Sequence, residues 1–294
     1  MKILIPTLAL LLSAQDEKLE LRWKYQKGQE LRYKTTQKTA TEAAGSSIKQ
    51  EMSTTFAMKV DEVDEKGLAT LTCKYDAVAI KMSGFQELDY DSEKDKEAPD
   101  EPMALMMSKL VGQSFVMKMT PSGRVTDVKG FDKILEAMMK AAGEDADQEM
   151  ARQMMKQMFS DDAFKSMMQQ MSPPLPEEKV GKGDTWSNEF TLKMPILGSM
   201  KFGIKSKLND IKEKNAVIDQ DVKIELKADE KDENPLAGLI ELKDAKGKSS
   251  CVFSLERGLF LSQKATMEMT IAAGGQEMPV KTESELRLIE KKKF

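Results

Sequence analysis

From residue 19 onward, apolar side chains recur at every second position. Leu19, Leu21, Trp23 and Tyr25 alternate with charged residues, Gly28 turns the chain, and Leu31 and Tyr33 resume the alternation. Phe56, Met58 and Val60 continue it up to a turn at Asp64-Glu65-Lys66-Gly67. The next run carries Leu71, Cys73 and Tyr75 inward, whereas Val78, Ile80 and Met82 are one step out of phase. A one-residue slip flips every side chain, so the pattern predicts a bulge near Asp76-Ala77. Later runs repeat the habit: Met200, Phe202, Ile204 and Leu208; Ile218, Val222, Ile224 and Leu226; Leu259, Leu261, Ala265, Met267, Met269 and Ile271; and Val280, Leu286 and Leu288. The alternate positions are Lys, Thr, Glu and Asp. One apolar and one wet face per strand predict antiparallel pairing.

The two halves resemble each other. Val60 to Gly67 lines up with Leu208 to Asn215, Lys27-Gly28-Gln29-Glu30-Leu31 with Lys182-Gly183-Asp184-Thr185-Trp186, and Ser114 to Val125 with Ser250 to Phe260. The order is kept, and Gly67 and Asn215 are both residue types that accept a left-handed turn. The expectation is an internal duplication, about 15–128 and 175–294, giving two similar meanders in one sheet that curls toward a barrel.

Two segments break the alternation. Glu87 to Glu101 is acidic, with Pro99 and Pro102 behind; it lacks the glycine and terminal glutamate of a calcium loop, and reads as a solvated loop. The stretch 129–171 has helical spacing and is rich in methionine. Ile134, Leu135, Met138 and Met139 form a first stripe; Met150, Met154, Met155 and Met158 form a second. Ser160 can cap a third helix bearing Ala163, Phe164, Met167, Met168 and Met171, which Pro173-Pro174 stops. The predicted class is therefore α+β: a mainly antiparallel, strongly curved sheet, half-barrel or open barrel, covered by a Met-rich helical insert. A sheet with one apolar face needs such a cover.

Composition narrows the chemistry. The chain has 294 residues, no histidine, two cysteines, and 45 basic against 49 acidic side chains. Without histidine there is no Ser-His-Asp or Cys-His nucleophile pair and no imidazole ligand or base. Balanced charge argues against nucleic acid. No P-loop, nucleophile elbow or dinucleotide fingerprint is present, so no enzyme and no cofactor is expected. Met1-Lys2, the apolar run Ile3 to Leu12 and Ser13-Ala14 read as a secretory signal at 1–14, leaving a single domain at 15–294 without a spanning segment. Export, periplasmic or extracellular, permits a disulfide between Cys73 and Cys251, although both lie on apolar strand faces where buried thiols are common.

Fourteen of the 23 methionines lie between Met103 and Met171. Three uses compete: plain core, a loose lining for an apolar or lipid-like ligand, or thioether ligands for Cu(I). The lining would comprise Met138, Met139, Met154, Met158, Phe164, Met168 and Met171. The copper alternative would use Met154, Met155, Met158, Met167, Met168 and Met171. A third alternative is a structural or envelope-protein interaction module with no small ligand.

The chain resembles a bacterial family of secreted proteins known only as a domain of unknown function. The resemblance rests on Lys27-Gly28-Gln29-Glu30-Leu31, Gly112-Gln113-Ser114-Phe115, Met119-Thr120-Pro121-Ser122-Gly123-Arg124-Val125, Pro174-Leu175-Pro176 and Val180-Gly181-Lys182-Gly183-Asp184-Thr185-Trp186. It implies export and a β-rich fold, and supplies no catalytic residues. In architecture alone, a curled sheet plugged by helices is similar to the periplasmic lipoprotein carriers.

Overall fold

The computed structural model describes residues 18–289 except 44, 85, 96, 98, 142–163, 166–167, 169–173, 195–197 and 228–239. The expected signal at 1–14 lies outside them. Twelve strands form one antiparallel sheet. They are β1 (Glu30–Ala43), β2 (Ser46–Val63), β3 (Ala69–Ser83), β4 (Leu88–Asp91), β5 (Ser114–Met119), β6 (Val125–Lys129), β7 (Thr185–Met194), β8 (Gly198–Lys212), β9 (Asn215–Lys227), β10 (Ile240–Ser254), β11 (Leu259–Ala273) and β12 (Gln276–Leu288). The path runs β6-β5-β3-β2-β1-β12-β11-β10-β9-β8-β7, with β4 paired to β3 beside it. Among the described residues the sheet is open, with β6 and β7 at its edges. Two short helices are described, α1 (Pro102–Ser108) and α2 (Phe131–Ala141).

The first expected helix is therefore present as α2, which buries Phe131, Ile134, Leu135 and Met139. The larger Met-rich cover is not shown, because 142–163 and most of 166–173 lie outside the described residues. The acidic stretch is more than a loop. Leu88 and Tyr90 alternate with Asp89 and Asp91, pair with β3, and bury against Val78, Ile80 and Ala104 of α1.

The expected bulge is where the phase change placed it. Thr55 opposes Ala77 and Phe56 opposes Tyr75, which leaves Asp76 unpaired to receive a 2.9 Å hydrogen bond from Arg32 Nε. Other bulges recur in matching places. Val60 opposes Leu71 and then Glu62 opposes Thr70; Leu208 opposes Ile218 and then Asp210 opposes Val217. Gly28 N donates to Val60 O (2.8 Å) and Val60 N to Gln29 O (2.9 Å), just as Gly183 N donates to Leu208 O (2.7 Å) and Leu208 N to Asp184 O (3.0 Å). Register also slips at Lys118/Met119 in β5–β6 and at Val252/Phe253 in β10–β11. The two turns differ in one respect: positive φ falls on Gly67 in the first but on Glu213 and Lys214, not Asn215, in the second.

The first expected strand is not in the sheet. Residues 18–29 run as an extended segment with one isolated bridge, Leu19 to Val180. Its alternation is real, since Leu21, Trp23 and Tyr25 are buried. Trp23 N donates to Pro121 O at 2.7 Å, in the turn before β6, and Lys24 N to Gly258 O at 3.1 Å, in the turn before β11. Trp23 stacks on Tyr25 and meets Phe253 and Phe260 edge-on. The main core gathers around this segment at one end of the long strands, with residues from both halves. We call this the proximal end.

Close approach of backbones makes this junction sensitive to a single methyl group. A Cβ on Gly258 would lie 2.6 Å from the Lys24 backbone nitrogen, whereas one on Gly183 would meet nothing within 4 Å, and both glycines have positive φ. Gly183→Ala is expected to cost about 1 kcal/mol for backbone conformation alone. Gly258→Ala is expected to cost about 3 kcal/mol or more. Urea unfolding compares them, and equal losses would show that the segment does not dock on that turn.

Candidate functional site

The predicted lining residues separate into two groups. Met138 and Met168 are half-buried and pack against the main core; Met139 and Phe164 are buried. Phe164 stacks on Phe131 with centroids 3.6 Å apart and meets Phe115 edge-on. These four side chains fill the core. Met154, Met158 and Met171 lie outside the described residues, as do Met155 and Met167 of the copper alternative. Among the described residues no group of three or more His, Cys, Asp or Glu could hold a metal ion.

Cys73 and Cys251 are free thiols, both buried, and not the disulfide that export would permit. Cys73 sits between Met58 and Phe115, while Cys251 sits between Ile218 and Gln263. Burial pushes both thiols up to about 12, with Asp61 adding to Cys73. Burial likewise raises Tyr25, Tyr33 and Tyr75. Such groups stay protonated and inert near neutrality.

Two hollows stand out among the described residues, and neither is lined by the described methionines of the predicted set. The first, about 690 Å³, lies where 174–180 crosses toward β7 and is bordered by Lys18, Ser122, Arg124, Pro174 to Val180 and Gly183 to Asn188. Most of its wall is the Pro174–Trp186 stretch that carries the resemblance. Leu175 N donates to Ser122 O (2.7 Å), the Arg22 guanidinium donates to the carbonyls of Pro176 and Glu177, and Asn188 Nδ2 donates to Pro174 O (3.0 Å). The indole N–H of Trp186 is buried with no hydrogen-bond partner.

The second hollow is a groove of about 1160 Å³ over the wet face. Two cross-strand rows line it. One runs Thr36, Glu285, Lys264, Ser250, Asp219, Lys207, Thr185; the other runs Glu51, Lys38, Glu283, Thr266, Lys248, Asp221, Lys205. Opposite charges alternate along both, with Lys38–Glu51 at 3.4 Å and Lys264–Glu285 at 3.8 Å. Exposed pairs of this kind set register and solubility more than stability.

The core face of the same strands changes character along its length. Beyond Leu208, Ile218 and Cys251 comes a polar row: Gln37, Ser284, Ala265, Ser249, Gln220, Ser206 and Trp186. Gln220 Nε2 donates to Ser206 Oγ (3.1 Å), and Ser249 Oγ donates to Gln220 Oε1 (2.6 Å). Past this row the face is apolar again. Met267, Val222 and Ile204 form one row; Val280, Met269, Ile224, Phe202 and Phe190 the next; then come Met278, Ile271, Leu242, Leu226 and Met200. Phe190 and Phe202 stack with centroids 4.7 Å apart. Phe202, Ile204 and Ile224 are buried, but the others are only half-buried and belong to neither core cluster. The period-two pattern had placed most of these residues on strand faces. It could not say that, among the described residues, the core clusters would stop short of these rows.

A model of DUF6263, a family of unknown function, matches residues 66–256. The chain is similar to a DUF1329 family protein from Desulfovibrio piger, at 8% identity over 88% of this chain and 86% of that one, with a TM-score of 0.18. It is also similar to a beta-barrel-like DUF1849 protein from Brucella abortus, at 9% identity over 88% of this chain and 98% of that one, with a TM-score of 0.18. At that overlap neither likeness carries an argument. Comparison with curated proteins gives no match. No helix among the described residues is long and apolar enough to cross a membrane.

The thiols make a sharp prediction. Neither Cys73 nor Cys251 reacts with a thiol reagent at pH 8 while folded, and both react once denaturant is added. The unfolded thiol loses its proton near 9.0 and the folded one near 12. Their contribution to stability is thus intact below pH 9.0 and falls as pH rises from there toward 12. Rapid labelling of the native protein would refute the packing around both cysteines.

Proposed function

The chain belongs to the DUF6263 family, whose function is unknown, and we propose that it is an exported, non-enzymatic binding protein for an apolar or lipid-like ligand. A chain built from two duplicated meanders is part of that reading, and the matching bulges and turn hydrogen bonds support it. The observation that carries the proposal is the half-buried apolar face on β8, β9, β11 and β12. It begins beyond the Ser206–Gln220–Ser249 row and lies outside both core clusters. Half-exposed apolar surface of this extent marks a binding site more often than a packing remnant. Four of its side chains are methionines, Met200, Met267, Met269 and Met278, which adapt to varied alkyl shapes. This moves the ligand from the helical methionines first suggested to the sheet itself.

The magnitudes are adequate. Each buried methylene contributes roughly 0.8 kcal/mol, so about ten give roughly 8 kcal/mol before ordering costs. That sets an upper limit of about 1 μM on the affinity scale, which ordering and association costs weaken. The strongly upward-shifted groups are core thiols and phenols, which burial keeps protonated.

Native mass spectrometry of the chain from residue 15 onward, purified from an exported fraction without detergent, tests the reading. The expected result is an excess mass that extracts into organic solvent. Met269→Glu places a charge in the middle of the face, away from both core clusters, and should reduce occupancy about tenfold or more while the fold persists. A bare polypeptide mass from the unmodified protein would overturn the proposal. So would undiminished occupancy in the folded variant.

A further inference from the structure

Strand β10 carries a bulge within the distal apolar face. Lys243 opposes Thr270 and Lys246 opposes Glu268, so Asp244 and Ala245 together face the single residue Met269 of β11. Asp244 is in the left-handed region, with a φ of 51°. At the same point the sheet forks. Pairing of β9 with β10 ends at Lys223–Lys246. Beyond it β9 continues to Lys227 on β8 alone, and β10 extends back to Ile240 on β11 alone. Apolar residues flank the fork: Ile224 and Leu226 on one side, Leu242 and Ala245 on the other. The bulge has a structural task, because it sets Leu242 on the same face as Ser249 and Cys251 across an odd spacing. Glycine would perform that task without strain, yet the position holds an aspartate. Its carboxylate is exposed, and among the described residues it has no hydrogen bond or ion pair to relieve the backbone. A strained residue at a bulge beside a binding face points to function.

We propose that the fork seats the polar end of the ligand, with Asp244 receiving the protonated amine of a single-chain amphiphile whose alkyl tail lies along the half-buried Met269, Ile271 and Val280. The inference rests on the apolar-ligand reading above and names the class of ligand. An ammonium group has three N–H donors and no acceptor. Asp244 takes one of them in a charge-assisted hydrogen bond. The inner backbone edges of the fork have no ladder partner among the described residues, and their carbonyls accept the others. A carboxylate or phosphate head would instead meet a like charge. The neighbouring lysines leave Asp244 uncompensated. Lys243 pairs with Glu241 at 3.5 Å and Glu277 at 3.0 Å. Lys246 lies on the opposite, wet face beside Glu268.

Isothermal titration calorimetry of the chain from residue 15 onward tests the assignment with three probes of equal chain length: dodecylammonium, dodecanol and dodecanoate, each below its micelle concentration. The expected order is dodecylammonium about tenfold or more tighter than dodecanol, with dodecanoate weakest. Asp244→Asn keeps the shape and removes the charge, and should erase most of that preference while dodecanol binding stays. Asp244→Gly relieves the left-handed backbone, so it removes the carboxylate without straining the bulge, and should lose the preference equally. Equal binding of all three probes overturns the head assignment and leaves the apolar face standing. A preference retained in either folded variant overturns it too. Binding of none of the three overturns this inference together with the reading it rests on.

Discussion

The packing of Trp23 is the contact on which the rest of the molecule depends. The sheet is open, so nothing in its own ladder brings the turn before β6 toward the turn before β11. The extended segment 18–29 does. Its backbone reaches Pro121 on one side and Gly258 on the other, and the indole fills the space between Gly123, Phe253 and Phe260. Gly123 is required there because a Cβ would fall 2.8 Å from Trp23 Nε1. Two sheet ends, each with one apolar face, thereby become one core. The cost is a buried indole N–H without a partner, which the aromatic contacts must offset.

That arrangement explains why the bulges repeat. A long antiparallel strand twists steadily, and an inserted residue bends it more sharply. Bulges at Asp61 and Asn209, close to the turns at Gly67 and Lys214, bend β2 and β8 inward at the proximal end, where the segment must be gripped. The paired hydrogen bonds from Gly28 and Gly183 hold the preceding loops in the same place relative to those bulges. Beyond the proximal end there is no such demand, and the strands run on with alternating polar and apolar faces.

Much of this was legible in the chain. Alternation identified the strand faces, the phase change at Tyr75–Val78 placed a bulge near Asp76-Ala77, and the similarity of Val60–Gly67 to Leu208–Asn215 marked the two segments in which bulges at Asp61 and Asn209 are found. Other features left no local trace. Leu19 to Tyr25 alternates like any strand, yet only tertiary contacts decide that it crosses the core instead of joining the ladder. The Leu261 bulge in β11 was hidden because the apolar residues Leu259, Phe260 and Leu261 are contiguous, so no phase change is visible. Short elements, β4 and α1, lay within an acidic, proline-flanked stretch whose Leu88, Tyr90 and Ala104 were too few to signal burial. Methionine density drew attention to the helices, although the described members, Met138, Met139 and Met168, pack as core. The apolar period persists instead to the distal ends of β8, β11 and β12, beyond both core clusters, and that is the face proposed to bind.

The polar row is what separates those two uses of one face. Burying Gln220 among apolar neighbours would cost several kcal/mol if its amide were unsatisfied. It is satisfied within the row, by Ser206 on one side and Ser249 on the other. These bonds run along the row and not toward the distal face, so its geometry holds whether or not anything lies there. The proximal core can therefore remain sealed while the surface beyond Ser206–Gln220–Ser249 is covered or uncovered. Continuous apolar packing would have coupled the two, since removing atoms from one part of a close-packed core disturbs the rest. A stable scaffold with an independently variable apolar face is what the proposed binding role requires, and the three side chains of the row separate the two surfaces.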